Sequence, residues 1–172
     1  RKLAQFISVI LHPVLMPTYA LFLIFQLDGY IAHTTSPQAK LALYIIIVFN
    51  TLIMPVVISY LLLVKGYIRS FEMEERQERV VPFFSNLALM VVAYYMMRQL
   101  VLPRIFYLIL LGASEAVLIA ILVNIKWKIS IHMIGIGCMA GIFYGMSTLM
   151  LADLSLPIML TVITAGLLGT AR

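Results

Sequence analysis

Residues 41–64 read LALYIIIVFNTLIMPVVISYLLLV, and from Leu41 to Val64 no side chain carries a charge. The hydrocarbon core of a bilayer is about 30 Å thick and asks for about 20 consecutive apolar residues per helical crossing. This run exceeds that length, and in hydrocarbon a helix is the way a single segment satisfies its own backbone polar groups. Working outward from it, polar punctuation against apolar runs predicts further helices. The full set is 3–27, 39–64, 82–101, 103–124, 129–151 and 155–170. The expected fold is all-α, a polytopic membrane helix bundle of about six transmembrane helices with both termini on one face. It is read as a single domain over residues 1–172.

Composition agrees with that solvent. Hydrophobic residues make up 63% of the chain and charged residues 11%, with a mean hydropathy of +1.07, whereas soluble domains carry roughly 25% charged residues. The net charge of +5 is read as basic residues flanking spans, so no nucleic-acid partner is invoked. Cys138 has no partner for an intrachain disulfide and is read as a small packing residue. Arg1 and Lys2 before an apolar run resemble a signal peptide, but no small-residue cleavage site precedes Asp28. The run is expected to stay as the first helix. Pro13, Pro17, Pro55 and Pro157 fall in or at the start of spans as kinks or helix starts. Gly135, Gly137 and Gly141 form a small-residue stripe that would put the fifth helix mid-bundle.

Charge placement bears on orientation. With Arg1 inside, that face collects Arg1, Lys2, Lys65, Arg69, Arg76, Arg79, Lys126, Lys128 and Arg172, and the other face Lys40, Arg98 and Arg104. The excess favours the first face as cytoplasmic. The bias narrows if Arg76, Arg79, Lys128 and Arg172 belong to a site.

Two segments could carry chemistry. From Arg69 to Pro82 the chain reads RSFEMEERQERVVP. Arg76 and Arg79 lie three apart, so in a helix they share one face and could grip one phosphate through their planar forks. Glu72 and Glu75 fall at helical spacing to pair with them instead, which would make the segment a solvated interfacial loop. The second segment, Asn124 to His132, reads NIKWKISIH. His132 at the membrane edge is a proton donor or acceptor near neutrality, or else a structural histidine bonded to a neighbouring helix. Lys126, Trp127 and Lys128 also read as an interfacial anchor.

The remaining candidates are single residues. His12 reads as a polar contact within the first helix, and His33 lies on the far face from the charged segment. Neither has metal-ligand spacing, and there is no HExxH, CxxC, P-loop or G-x-S-x-G element, so no metal or cofactor is expected. Glu115 is the one carboxylate expected inside a span. It could pair with Arg98 or Arg104, or sit near a helix end and snorkel.

Taken together, these segments resemble the integral-membrane branch of the type 2 phosphatidic acid phosphatase superfamily. Its first motif is Lys, six residues, then Arg-Pro. Arg69 and Arg76 keep that spacing with Gln77 in place of the proline, while Arg79 has Pro82 after it, so the match is open between Arg76 and Arg79. Its second motif, Pro-Ser-Gly-His, is met by Ile129-Ser130-Ile131-His132, which keeps the Ser and the His. Of the third motif only Arg172 is matched, and the family's nucleophilic histidine would fall after it.

The resemblance implies a membrane-embedded lipid phosphate phosphatase with a histidine-based, metal-independent mechanism, set in a bacterial inner membrane among membrane lipids. His132 would protonate the leaving alkoxide, and Arg76, Arg79, Ser130, Lys128 and Arg172 would bind the phosphate of a phosphorylated lipid substrate. The alternative is a noncatalytic relative that binds anionic headgroups or a partner through the same residues. A small transporter is the third reading, disfavoured by the scarcity of charge within the spans.

Overall fold

The computed structural model describes residues 12–27, 29–71, 73, 75–127, 129–150 and 153–170. Every regular element among them is helical. They divide into two compact units, one gathering the described residues up to Ser36 and from Ser130 onward, the other running from Pro37 to Ile129.

The first unit opens on a turn, not a helix. The carbonyl of His12 accepts from the Leu15 N–H at 2.9 Å and that of Pro13 from the Met16 N–H at 3.3 Å, and helix α1 (Met16–Leu27) begins only there. A residue before proline is pushed out of helical backbone, which explains why His12 stands outside the helix expected to run through it. Residues 3–11 of that expectation lie outside the described ones. A short helix, α2 (Gly29–Thr34), replaces an expected connection and buries Ile31 completely.

The same unit holds α6 (Ile131–Met150) and α7 (Ser155–Thr170). Helix α1 packs on α6, and α6 on α7. Of the three stripe glycines, only Gly135 meets a neighbour where a Cβ would sit, and Gly137 and Gly141 face open space. The stripe is thus a point of close approach rather than a helix-long seam. At the start of α7, Asp153 accepts from the Ser155 hydroxyl at 2.7 Å and from its N–H at 3.1 Å.

The second unit contains α3 (Pro37–Val64), α4 (Val80–Met97) and α5 (Arg104–Asn124). Within α3, Phe49–Ile53 forms a wide π turn, with the Met54 N–H reaching back to the Phe49 carbonyl. Pro55 follows at once; it has no N–H to give and its ring crowds the carbonyl four residues back. Asn50 and Thr51 are buried at this widening, and their side chains donate to the carbonyls of Ile46 (2.9 Å) and Ile47 (2.8 Å). Helices α4 and α5 form a hairpin at whose turn the Tyr107 hydroxyl donates to the carbonyls of Leu100 (3.0 Å) and Met97 (3.2 Å).

Among the described residues, four helices are long and apolar enough to cross a membrane: Pro37–Val64, Arg76–Met97, Arg104–Asn124 and Ile131–Leu149. Met16–Leu27 and Ser155–Leu167 are apolar but shorter. Only 22% to 28% of the most apolar stretch of each long helix is buried. In water such faces would drive aggregation; against lipid they are matched to their solvent, consistent with an integral membrane protein.

Candidate functional site

In the second unit the segment before α4 is not an α-helix, and most of its described residues are exposed. Arg76–Arg79 forms a 3-10 turn, in which residues three apart stand over one another, so both guanidinium groups project to one side. They reach backbone carbonyls beyond the C-terminal end of α5. Arg76 Nη1 donates to Ile125 O at 2.8 Å and Lys126 O at 3.0 Å, and Arg79 Nη1 donates to Ile129 O. Arg79 Nε also donates to the carbonyl of Met73 at 2.9 Å, and Met73 sits in left-handed backbone at φ 46°. Such a conformation in a residue with a side chain persists where its surroundings hold it.

Cations at this position also complement the helix macrodipole, whose negative end is at the C-terminus. From the other side Asn124 Nδ2 donates to Arg76 O at 2.9 Å, while its buried Oδ1 has no partner among the described residues. The carboxylates do not follow the helical spacing. Glu75 pairs with Arg69 at 2.6 Å, and Glu78 accepts from the Arg69 N–H at 3.1 Å. Glu72 lies outside the described residues. Arg79 is buried and Arg76 exposed, so the pair expected to grip phosphate also ties its segment to the end of α5.

In the first unit Ser130 is the N-cap of α6. Its carbonyl accepts from the Ile134 N–H at 3.2 Å, and its Oγ takes a long, 3.5 Å contact from the Met133 N–H. That leaves the first N–H groups of a long helix pointing out of its positive end, where anions are favoured. His132 occupies the first turn and is 8% exposed. Against it lies His12, edge to face, with ring centroids 5.4 Å apart.

His12, read from the sequence as a polar contact within the first helix, stands instead in the turn before α1 with its ring against His132. The signals that could have found it are weak ones: the proline after it, and Gly135 one turn beyond His132. A Cβ at Gly135 would lie 3.2 Å from Pro13 Cα, Pro13 Cβ and Met16 Cγ. The absence of a side chain there lets the His12 turn press onto α6.

Lys128 and Arg172, both expected to bind phosphate, lie outside the described residues. His33 is exposed on α2, and Trp127 is exposed beyond α5, as an interfacial anchor would be. Glu115 stands in the middle of α5, about 16 Å along the axis from Arg104, on an exposed face. The helix-end placement is therefore corrected, and among the described residues the ion pair formed is Arg69–Glu75. No three His, Cys, Asp or Glu side chains gather as metal ligands among the described residues.

Set against known proteins, the chain matches no family model, no curated protein and no solved structure. What remains is the chemistry of the arrangement itself: a buried imidazole able to give or take a proton, a capping hydroxyl, a helix N-terminus whose dipole favours an anion, and a second imidazole in contact with the first.

Proposed function

We propose that this chain is a membrane-embedded lipid phosphate phosphatase whose general acid is His132. The observation that carries the proposal is the position of His132, buried in the first turn of α6 behind the Ser130 cap with His12 against its ring. Phosphoryl transfer asks a protein mainly for positioning, positive potential around the phosphate oxygens, and a proton for a poor leaving group. The α6 N-terminus supplies positive potential and Ser130 a hydroxyl donor. With a phosphomonoester, His132 gives its proton to the alkoxide oxygen as the P–O bond breaks and water takes the phosphoryl group, leaving an alcohol and inorganic phosphate; with a diphosphate the products are the lipid monophosphate and inorganic phosphate.

The resemblance between the motifs and those of the type 2 phosphatidic acid phosphatases supports this reading, as does the apolar character of the helices. In this proposal α1 and α7 complete six crossings, the membrane is a bacterial inner membrane, and the substrate is a lipid carrying a phosphomonoester or diphosphate. Arg76 and Arg79 hold their own segment to the carbonyls beyond the end of α5. The test is phosphate release by the detergent-solubilised full gene product from phosphatidic acid, phosphatidylglycerophosphate and a polyprenyl diphosphate, with orthovanadate as inhibitor. Vanadate-sensitive release from at least one lipid is expected. A folded sample that releases phosphate from none returns the chain to the noncatalytic, headgroup-binding reading.

A further inference from the structure

His12 is held from three directions. Proline at 13 fixes the backbone that follows it and bars His12 from helical conformation, and the turn is closed by the bonds from Leu15 N–H to His12 O and from Met16 N–H to Pro13 O. Its own ring is tethered to that turn, because the Val14 N–H points to His12 Nδ1 at 3.5 Å. Finally, Pro13 and Met16 are seated on α6 at Gly135, where a Cβ would be 3.2 Å from both. Residues three apart on a helix share a face. The seat at Gly135 therefore lies directly below His132, and the ring carried by the seated turn meets the His132 ring edge to face at 5.4 Å.

The tether also decides what His12 is suited to do. A nitrogen that faces an N–H donor is placed to accept, an arrangement that favours the neutral tautomer with its proton on Nε2. An imidazole that attacks phosphorus through Nε2 must carry its proton on Nδ1. His12 is arranged the other way, and its exposure contrasts with the burial of the ring it touches.

From these contacts we infer that His12 is a positioning residue for His132: its anchored ring is the wall that sets the plane in which the His132 imidazole meets a phosphate ester. This rests on the phosphatase reading above. General-acid catalysis depends on that plane, since a displacement of about 1 Å can lower a rate about 100-fold. An aromatic edge-to-face neighbour fixes it without forming a bond to substrate.

The experiment uses the full-length protein in detergent and compares two leaving groups. Phosphatidic acid leaves as an alkoxide and needs the acid; p-nitrophenyl phosphate leaves as a stabilised phenolate and needs it little. His12→Ala should lower kcat on phosphatidic acid about 10- to 100-fold and on p-nitrophenyl phosphate several-fold less. His12→Phe, which keeps an aromatic wall, should recover most of the loss. In a His132→Ala background, His12→Ala should add nothing. His33→Gln is the control and should behave as wild type.

A merely structural role for His12 would depress both substrates equally and would add to the loss from His132→Ala; either result overturns the inference. A nuclear Overhauser contact between the His12 and His132 rings, read in histidine-labelled wild-type protein, separates the two levels. Its absence overturns the pair. Its presence in a protein that hydrolyses neither substrate overturns the phosphatase reading and the positioning role with it.

Discussion

The rings of His12 and His132 meet edge to face at 5.4 Å, although the two residues lie far apart in sequence, one in the turn before α1 and the other in the first turn of α6. What joins them is a proline-bounded turn lying on a helix that has a glycine at the point of contact. The contact makes the N-terminal end of α6 a place where two imidazoles, a hydroxyl and the first N–H groups of a helix converge.

Gly135→Ala tests that junction. The new methyl would press on Pro13 Cα and Cβ at 3.2 Å, and backbone yields less readily than a flexible side chain. Overpacking of this kind costs about 1–3 kcal/mol, so the thermal unfolding midpoint in detergent should fall. Gly137→Ala, placed in open space on the same helix, should hold or raise it, since Ala gains roughly 0.5–1 kcal/mol over Gly in a helix interior. Equal effects of the two substitutions would mean that the turn is not seated on Gly135.

Arg79 and Arg76 should separate in stability. Removing the buried guanidinium of Arg79 leaves the carbonyls of Met73 and Ile129 without their donor, and hydrogen bonds to charged groups contribute about 1.5–3 kcal/mol each. Arg79→Gln, which loses both, should therefore lower stability by about 3–6 kcal/mol. Arg76→Gln, at an exposed site, should lower it by less than about 1 kcal/mol. Chemical denaturation in mixed micelles measures both, and a neutral Arg79→Gln would return that residue to a purely ligand-binding role.

The start of α7 should loosen in acid. The hydroxyl and N–H of Ser155 hold the carboxyl of Asp153 below its ordinary range near 3.8. A carboxylate whose pKa is lowered by folding stabilises the fold at pH above the unfolded value, and that contribution disappears as pH falls through the lowered folded value. Exchange at the Ser155 amide should thus quicken, relative to its intrinsic rate, only below about pH 4. Asp153→Ala should show the fast rate at every pH, and a pH-independent ratio in wild type would contradict the bond.

Much of the fold is legible in the sequence because the bilayer imposes a single long-wavelength pattern. The run from Leu41 to Val64 and those that follow it mark their helices by length and lack of charge alone. The local features escape that reading. The π turn at Phe49–Ile53 depends on how the helix adjusts before Pro55, and α2 depends on burial of Ile31, which no periodicity over six residues reveals. At the site, Ser130 and His132 stand out through residue type and spacing. Arg79 is nameable as a cation, but its partners are backbone carbonyls that have no sequence signature. His12 is invisible for the plainest reason: its partner comes from a helix on the far side of the second unit in the chain, and only the packed turn brings them together.

The measurement that bears most directly on the account is lipid phosphate release by wild type and by His132→Ala, each confirmed folded by its helical circular dichroism and unfolding midpoint. The account predicts turnover on a lipid phosphate in wild type and a loss of about 100-fold or more in His132→Ala, the scale of a lost general acid. Full activity in a folded His132→Ala variant would contradict it.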